Sequence, residues 1–136
     1  TGTMLYGFAY GAGKPELRKV AGEICTKKLE QNFLMVFILA VCCGMLMFIA
    51  VDAYRKNAGS FAKYVAILIG IPTFILSGFE HSIADMVYFA LAPLSVNFQL
   101  KTYAFLLIVL IGNGIGGVMI PWCQKYIYPE NNVKGA

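Results

Sequence analysis

Residues Ser77-Gly78-Phe79-Glu80-His81-Ser82 interrupt an apolar run, and this interruption narrows the folds open to the 136-residue chain more than any other feature. Upstream lie Tyr64 to Leu76 and downstream Ile83 to Ala92, both suited to a lipid interior. A spanning helix needs roughly 20 apolar residues, so neither half crosses a bilayer alone. Joined through the polar break, they are long enough. The pattern predicts one discontinuous membrane helix over residues 64–94, broken at 77–82. Pro72 removes a backbone donor one turn before the break, and Pro93 closes the second half. Non-helical backbone at membrane depth is tolerated only where it is buried in protein or lines a watery cavity. The break holds the chain's single histidine, His81, beside Glu80. An ionisable residue at that depth is a functional candidate by default, and broken helices mark binding sites near the midplane of transporters.

The rest of the chain agrees with a bilayer setting. It is 59% hydrophobic and only 13% charged, where soluble domains carry about 25% charged residues. Two further spans are predicted at 33–53 and 103–122. Residues 1–13 are rich in glycine and aromatics and read as the end of a preceding span. With no initiator methionine and no basic leader, they do not read as a signal peptide. From Glu16 to Glu30, Leu17, Val20, Ala21 and Ile24 oppose Arg18, Lys19, Glu23 and Lys27. That periodicity predicts an amphipathic helix at the membrane surface or leading into the next span. Residues 95–102 read as a polar link and 123–136 as a polar, frayed tail. The acid-free loop 54–63, with Arg55, Lys56 and Lys63, is the better cytoplasmic candidate by the positive-inside rule. The predicted fold class is all-α integral membrane, a three-span helical repeat with a broken central helix.

Several function classes fall away. The net charge of +4 is dispersed, and no basic cluster is interleaved with aromatics as a nucleic-acid surface requires. Cys25, Cys42, Cys43 and Cys123 form no CxxC pair, and one histidine cannot complete a zinc pattern. The cysteines read as small apolar fillers, and no metal or cofactor is expected. Gly13-Lys14 is followed by Pro15 rather than Ser or Thr, so the phosphate-loop motif fails. Gly112-Asn113-Gly114-Ile115-Gly116-Gly117 matches GxGxxG formally, but it lies mid-span with no strand before it. Gly112 and Gly116 instead share one helix face and admit a second backbone. Asn113 is then either an interhelical hydrogen-bonder or the group that orients His81. No nucleophile–base pair is apparent, so an enzyme is not expected.

Ser77-Gly-Phe-Glu-His-Ser-Ile-Ala84, the Gly-Asn-x-Ile-Gly-Gly of the last span and a lysine at the mouth of the first complete span resemble the formate/nitrite transporter family. The resemblance covers nearly the whole chain, but only the second half of such a protein. It implies one half of an aquaporin-like inverted-repeat channel for formate, nitrite or hydrosulfide. Two three-helix repeats each donate a broken helix, and a homopentamer in the inner (cytoplasmic) membrane gives each protomer its own pore. On that resemblance His81 is the central pore histidine, giving proton-linked permeation, and Asn113 holds its ring. A gap-free count places the family lysine at Lys28, with Lys27 the close rival. Phe74 and Met47 fall at the apolar constrictions. The partners implied are a small anion, the lipid bilayer and an N-terminal three-span repeat, which a partner fragment or a longer chain must supply.

Two departures stand out. Gly44 occupies a place where compared relatives carry asparagine, so a polar contact is absent or replaced. Asp85 stands where asparagine is frequent, which puts an extra carboxylate one turn from His81. Glu80 reads as a brace that accepts hydrogen bonds from the broken backbone. The competing reading of the whole chain is a non-transporting subunit that anchors a larger complex.

Overall fold

The computed structural model describes residues 13–56, 61–97 and 99–127. Among these it is all-helical: α1 (Pro15–Glu30), α2 (Phe33–Lys56), α3 (Ala62–Leu76), α4 (Ser82–Leu91), the short α5 (Leu94–Asn97) and α6 (Leu100–Ile127). The segment read as the end of a preceding span lies, but for Gly13, outside the described residues.

Helix α1 starts where Pro15 supplies a preset φ at a position whose N–H has no helical partner. Glu16 in its first turn and Lys27 and Lys28 in its last complement the helix dipole. Its buried residues are Ala21, Gly22, Cys25 and Leu29, one narrow face that packs against α4. Gly22 admits the ring of Pro93, since a Cβ there would lie 2.9 Å from Pro93 Cδ.

Helices α2 and α6 pair along most of their length, and both are long and apolar enough to cross a membrane. Lipid is as apolar as leucine, so transfer from water cannot drive such a pairing, and close backbone approach must do so. Three glycines supply it. A Cβ at Gly112 would lie 2.6 Å from the Ala40 Cβ, one at Gly116 would collide with the Val41 carbonyl, and one at Gly44 with the Asn113 carbonyl. The departure at Gly44 thus has a steric reason, because any side chain there would push α6 away. Helix α3 also packs on α2, where a Cβ at Gly70 would lie 2.8 Å from the Ala50 Cβ. A small core of Cys25, Leu29, Val36, Phe89, Phe105 and Val109 joins α1, α2, α4 and α6. Phe89 and Phe105 meet there edge to face, with ring centroids 5.5 Å apart.

Two boundaries differ most from the sequence reading. The link at 95–102 contains the single turn of α5 and the start of α6, because Thr102 donates from Oγ1 to the Val96 carbonyl at 2.7 Å and ties the turn down. Helix α6 also runs on to Ile127, into the segment read as tail. Pro121 does not stop it. Trp122 stacks edge to face on Tyr126 one turn later, at 5.3 Å, which favours continuing the helix.

Candidate functional site

The site forms where the chain leaves α3 and enters α4. Thr73 accepts the Ser77 N–H at 2.9 Å as the last turn of α3 closes. Gly78 then takes φ +66°, the left-handed conformation that favours glycine, and turns the chain inward. Phe79 and Glu80 are non-helical. His81 caps α4 with extended backbone (φ −111°, ψ 119°), and its carbonyl accepts the Asp85 N–H at 2.9 Å.

Polar backbone set loose inside an apolar bundle needs partners, and Asn113 of α6 provides them. Its Oδ1 accepts the Ser82 N–H at 2.9 Å, and its Nδ2 donates to the Glu80 carbonyl at 2.8 Å and the Ala40 carbonyl at 2.9 Å. Asn113 therefore grips the peptide on both sides of His81. The resemblance gave it the histidine ring; these bonds show it acting on the backbone around that ring, and it joins α2, α6 and the break at one point.

Lys28, on the last turn of α1, reaches into the same place. Its ammonium pairs with Glu80 Oε2 and lies 3.0 Å from Asp85 Oδ1. Glu80 and Asp85 are only 1% and 2% exposed, so both carboxylates are buried against one cation. Burial works against the charge on Lys28, but the Asp85 and Glu80 carboxylates outweigh it and hold its pKa above the usual lysine value. Lys27, by contrast, is exposed. Glu80 was read as a brace for the broken backbone; its carboxylate instead braces Lys28, while its carbonyl is held by Asn113.

Lys28, His81 and Asp85, with Phe79 and Tyr88, line a cavity of about 160 Å³. Water occupies about 30 Å³ in the liquid, so the cavity suits a few waters or one small ion. Sequence reasoning had left Asp85 open and did not single out Tyr88. The available signal was spacing, since positions 81, 84, 85 and 88 fall on one face of a helix. The meeting of Lys28 with Asp85, far apart in the chain, had none.

Met47 is half-buried on α2, and the backbone of Phe74 is in α3 while its side chain lies outside the described residues. Ser77 is exposed and Ser82 buried. Cys25 is buried on α1, and burial pushes its thiol up to about 12 against the pull of Lys28, so it stays neutral. Among the described residues, no group of three or more His, Cys, Asp and Glu could hold a metal ion.

Comparisons with known proteins agree on one family. The profile described as "Formate/nitrite transporter" matches residues 1–127. "Nitrite transporter NirC" of Escherichia coli (strain K12) is 30% identical over 120 residues, covering 85% of this chain and 44% of that protein. "Formate-nitrite transporter" of Plasmodium knowlesi (strain H) is 27% identical over 124 residues, covering 89% and 40%. Among solved structures, one described as "FNT family ion channel" superposes with a TM-score of 0.81 at 26% identity, over 94% of this chain and 55% of that one. The chain spans less than half the length of these curated relatives.

Proposed function

This chain belongs to the formate/nitrite transporter family and is a membrane protein, and from that premise we propose that it forms the pore-histidine half of a channel for small monovalent anions of weak acids. The observation that carries the reading is the cavity at the helix break, where His81 and Lys28 face the same small space. Formate, nitrite and hydrosulfide are the class of permeant. The second half of the pore comes from a three-helix repeat related by inversion, and five protomers assemble in the cytoplasmic membrane, each with its own path.

Magnitudes set the mechanism. A bare anion in a low-dielectric constriction costs tens of kcal/mol by an idealised Born estimate. A lysine about 4 Å away returns roughly 4 kcal/mol at an effective dielectric near 20. Lys28 therefore concentrates anions at the mouth but cannot carry them through the dry zone. Neutralisation can. A histidine with an ordinary pKa of about 6.5 lends a proton to an acid near 4 for about 3–4 kcal/mol, far less than the bare ion costs. His81 is the group placed to do this, and Asn113 supports it by fixing the peptide on either side. Phe74 and Met47 are proposed as the apolar constrictions that keep the zone dry.

The test is anion uptake by liposomes containing the complete protein, with formate, nitrite and hydrosulfide offered separately. Selective uptake that falls in Lys28→Met and not in Lys27→Met supports the channel and the register. A protein that moves none of the three overturns the reading and leaves a structural membrane subunit.

A further inference from the structure

The charges around the cavity do not balance for an anion site. One ammonium, that of Lys28, faces two buried carboxylates, so a negative charge is left over before any anion arrives. A buried charge without its own partner is strongly disfavoured. Of the two carboxylates, Glu80 has its Oε2 on Lys28. Asp85 offers Oδ1 to Lys28, while its Oδ2 is buried without a hydrogen-bond partner among the described residues. Among the described residues its titratable or charged neighbours are Lys28 and Cys25 from α1, Glu80 and His81 from the break, Tyr88 one turn on along α4, and Cys43 from α2. Lys28 is the one lysine or arginine among them, and it is already shared between two carboxylates.

We propose that Asp85 is a proton-loading residue of the anion site: an entering anion brings a proton from water, which binds Oδ2 and turns the second carboxylate into a hydrogen-bond donor toward the anion. The proposal deepens the channel reading and rests on it. The balance is simple. Hydronium, carboxylate and anion give water and a carboxylic acid hydrogen-bonded to the anion: one O–H bond breaks in hydronium, one forms on Oδ2, and the proton leaves with the anion or returns to water. Lys28 and Glu80 then form a neutral pair, and the anion meets a neutral donor instead of a repelling charge. Asp85 governs capture of the anion, whereas His81 governs its passage. An asparagine at this position would offer a donor permanently, with no proton required.

The experiment uses the complete protein and nitrite as probe. In liposomes the apparent KM for nitrite is measured from pH 5 to 8 for wild type, Asp85→Asn and Asp85→Glu. Wild-type KM should rise as pH rises. Asp85→Asn should bind about tenfold tighter than wild type at pH 8 with a flat profile, and Asp85→Glu should keep the slope. In parallel, infrared difference spectra on nitrite binding in detergent should show the carbonyl stretch of a protonated carboxylic acid. That band should be lost in Asp85→Asn and displaced in Asp85→Glu. An Asn variant with the wild-type KM slope, or a carbonyl band indifferent to position 85, overturns the proposal. The infrared arm separates the two readings: absent flux with an Asp85-dependent band sinks transport alone, and flux without the band sinks the proton on Asp85 alone.

Discussion

The helix break and the crossing of α2 with α6 both bring backbones together deep in this molecule, and they are held by opposite means. The break is held by what side chains supply: the amide of Asn113, the ammonium of Lys28 and the carboxylates of Glu80 and Asp85. The crossing is held by what side chains leave out, at Gly44, Gly112 and Gly116. In water the burial of larger apolar groups would serve equally well. In lipid the gain comes from contact distance and from polar groups satisfied inside the protein. Asn113 belongs to both regions, because the amide that grips the break also bonds the Ala40 carbonyl beside the crossing. The helix break is thereby tied to the most closely packed crossing described.

Removing that shared residue should do the most damage. Asn113→Ala strands the Ser82 N–H and the Glu80 carbonyl, each worth on the order of 1–3 kcal/mol when buried and unpartnered, and removes the second bond on the Ala40 carbonyl, which keeps its helical partner. Thermal unfolding in detergent should show a loss larger than any single glycine variant gives. A loss confined to anion flux, with unchanged melting, would mean that the two regions are not coupled through this amide.

Lys28→Met strikes the break alone. It leaves two buried carboxylates facing each other, and breaking a buried pair costs about 3–5 kcal/mol. Lys27→Met, at an exposed position, should be silent. The pH dependence has a definite sign. The folded-state pKa of Lys28 lies above its ordinary 10.5, so its contribution is complete below that value and disappears only as pH rises through the folded pKa. Wild type should show an extra loss of stability in that alkaline window, absent from Lys28→Met, and none attributable to this residue between pH 5 and 9.

Gly116→Leu strikes the crossing alone. Overpacking typically costs about 1–3 kcal/mol, and the neighbouring atom here is the backbone carbonyl of Val41, which cannot rotate away. A lower melting temperature in detergent is expected. Unchanged melting and flux would show that this face tolerates separation. The smallest effect is a surface control: breaking the pair of half-buried Asp52 and exposed Lys56, 2.7 Å apart on consecutive turns of α2, should cost only about 0.3–0.5 kcal/mol.

Much of this was legible in the sequence, for physical reasons that also mark its limit. The apolar runs announce an all-helical membrane fold, since lipid permits few alternatives. The formate/nitrite transporter family was readable from Gly-Phe-Glu-His-Ser at 78–82 and Gly-Asn at 112–113. Side-chain pairing was not. Nothing local to Lys28 says that it meets both Glu80 and Asp85, and nothing local to Asn113 says that it bonds backbone on both sides of His81. Gly44 looked like a missing polar contact because sequence records the absent amide, whereas the crowded Asn113 carbonyl appears only in three dimensions. Residues 123–127 read as a tail because they are polar, whereas the Trp122–Tyr126 contact that carries the helix onward is a pairing that polarity does not announce.

The central claim is that His81 passes a proton to the permeant anion. It is tested by nitrite or formate flux into liposomes containing the complete protein, from pH 5 to 8, where histidine is the side chain that ordinarily titrates. Wild type, His81→Asn and His81→Phe are compared. Asparagine keeps a polar group of similar reach but cannot exchange protons near neutrality, so maximal flux should lose its pH dependence. Phenylalanine should block more severely by filling the narrow zone with an apolar ring. A His81→Asn protein that retains the wild-type pH profile of maximal flux would contradict the account.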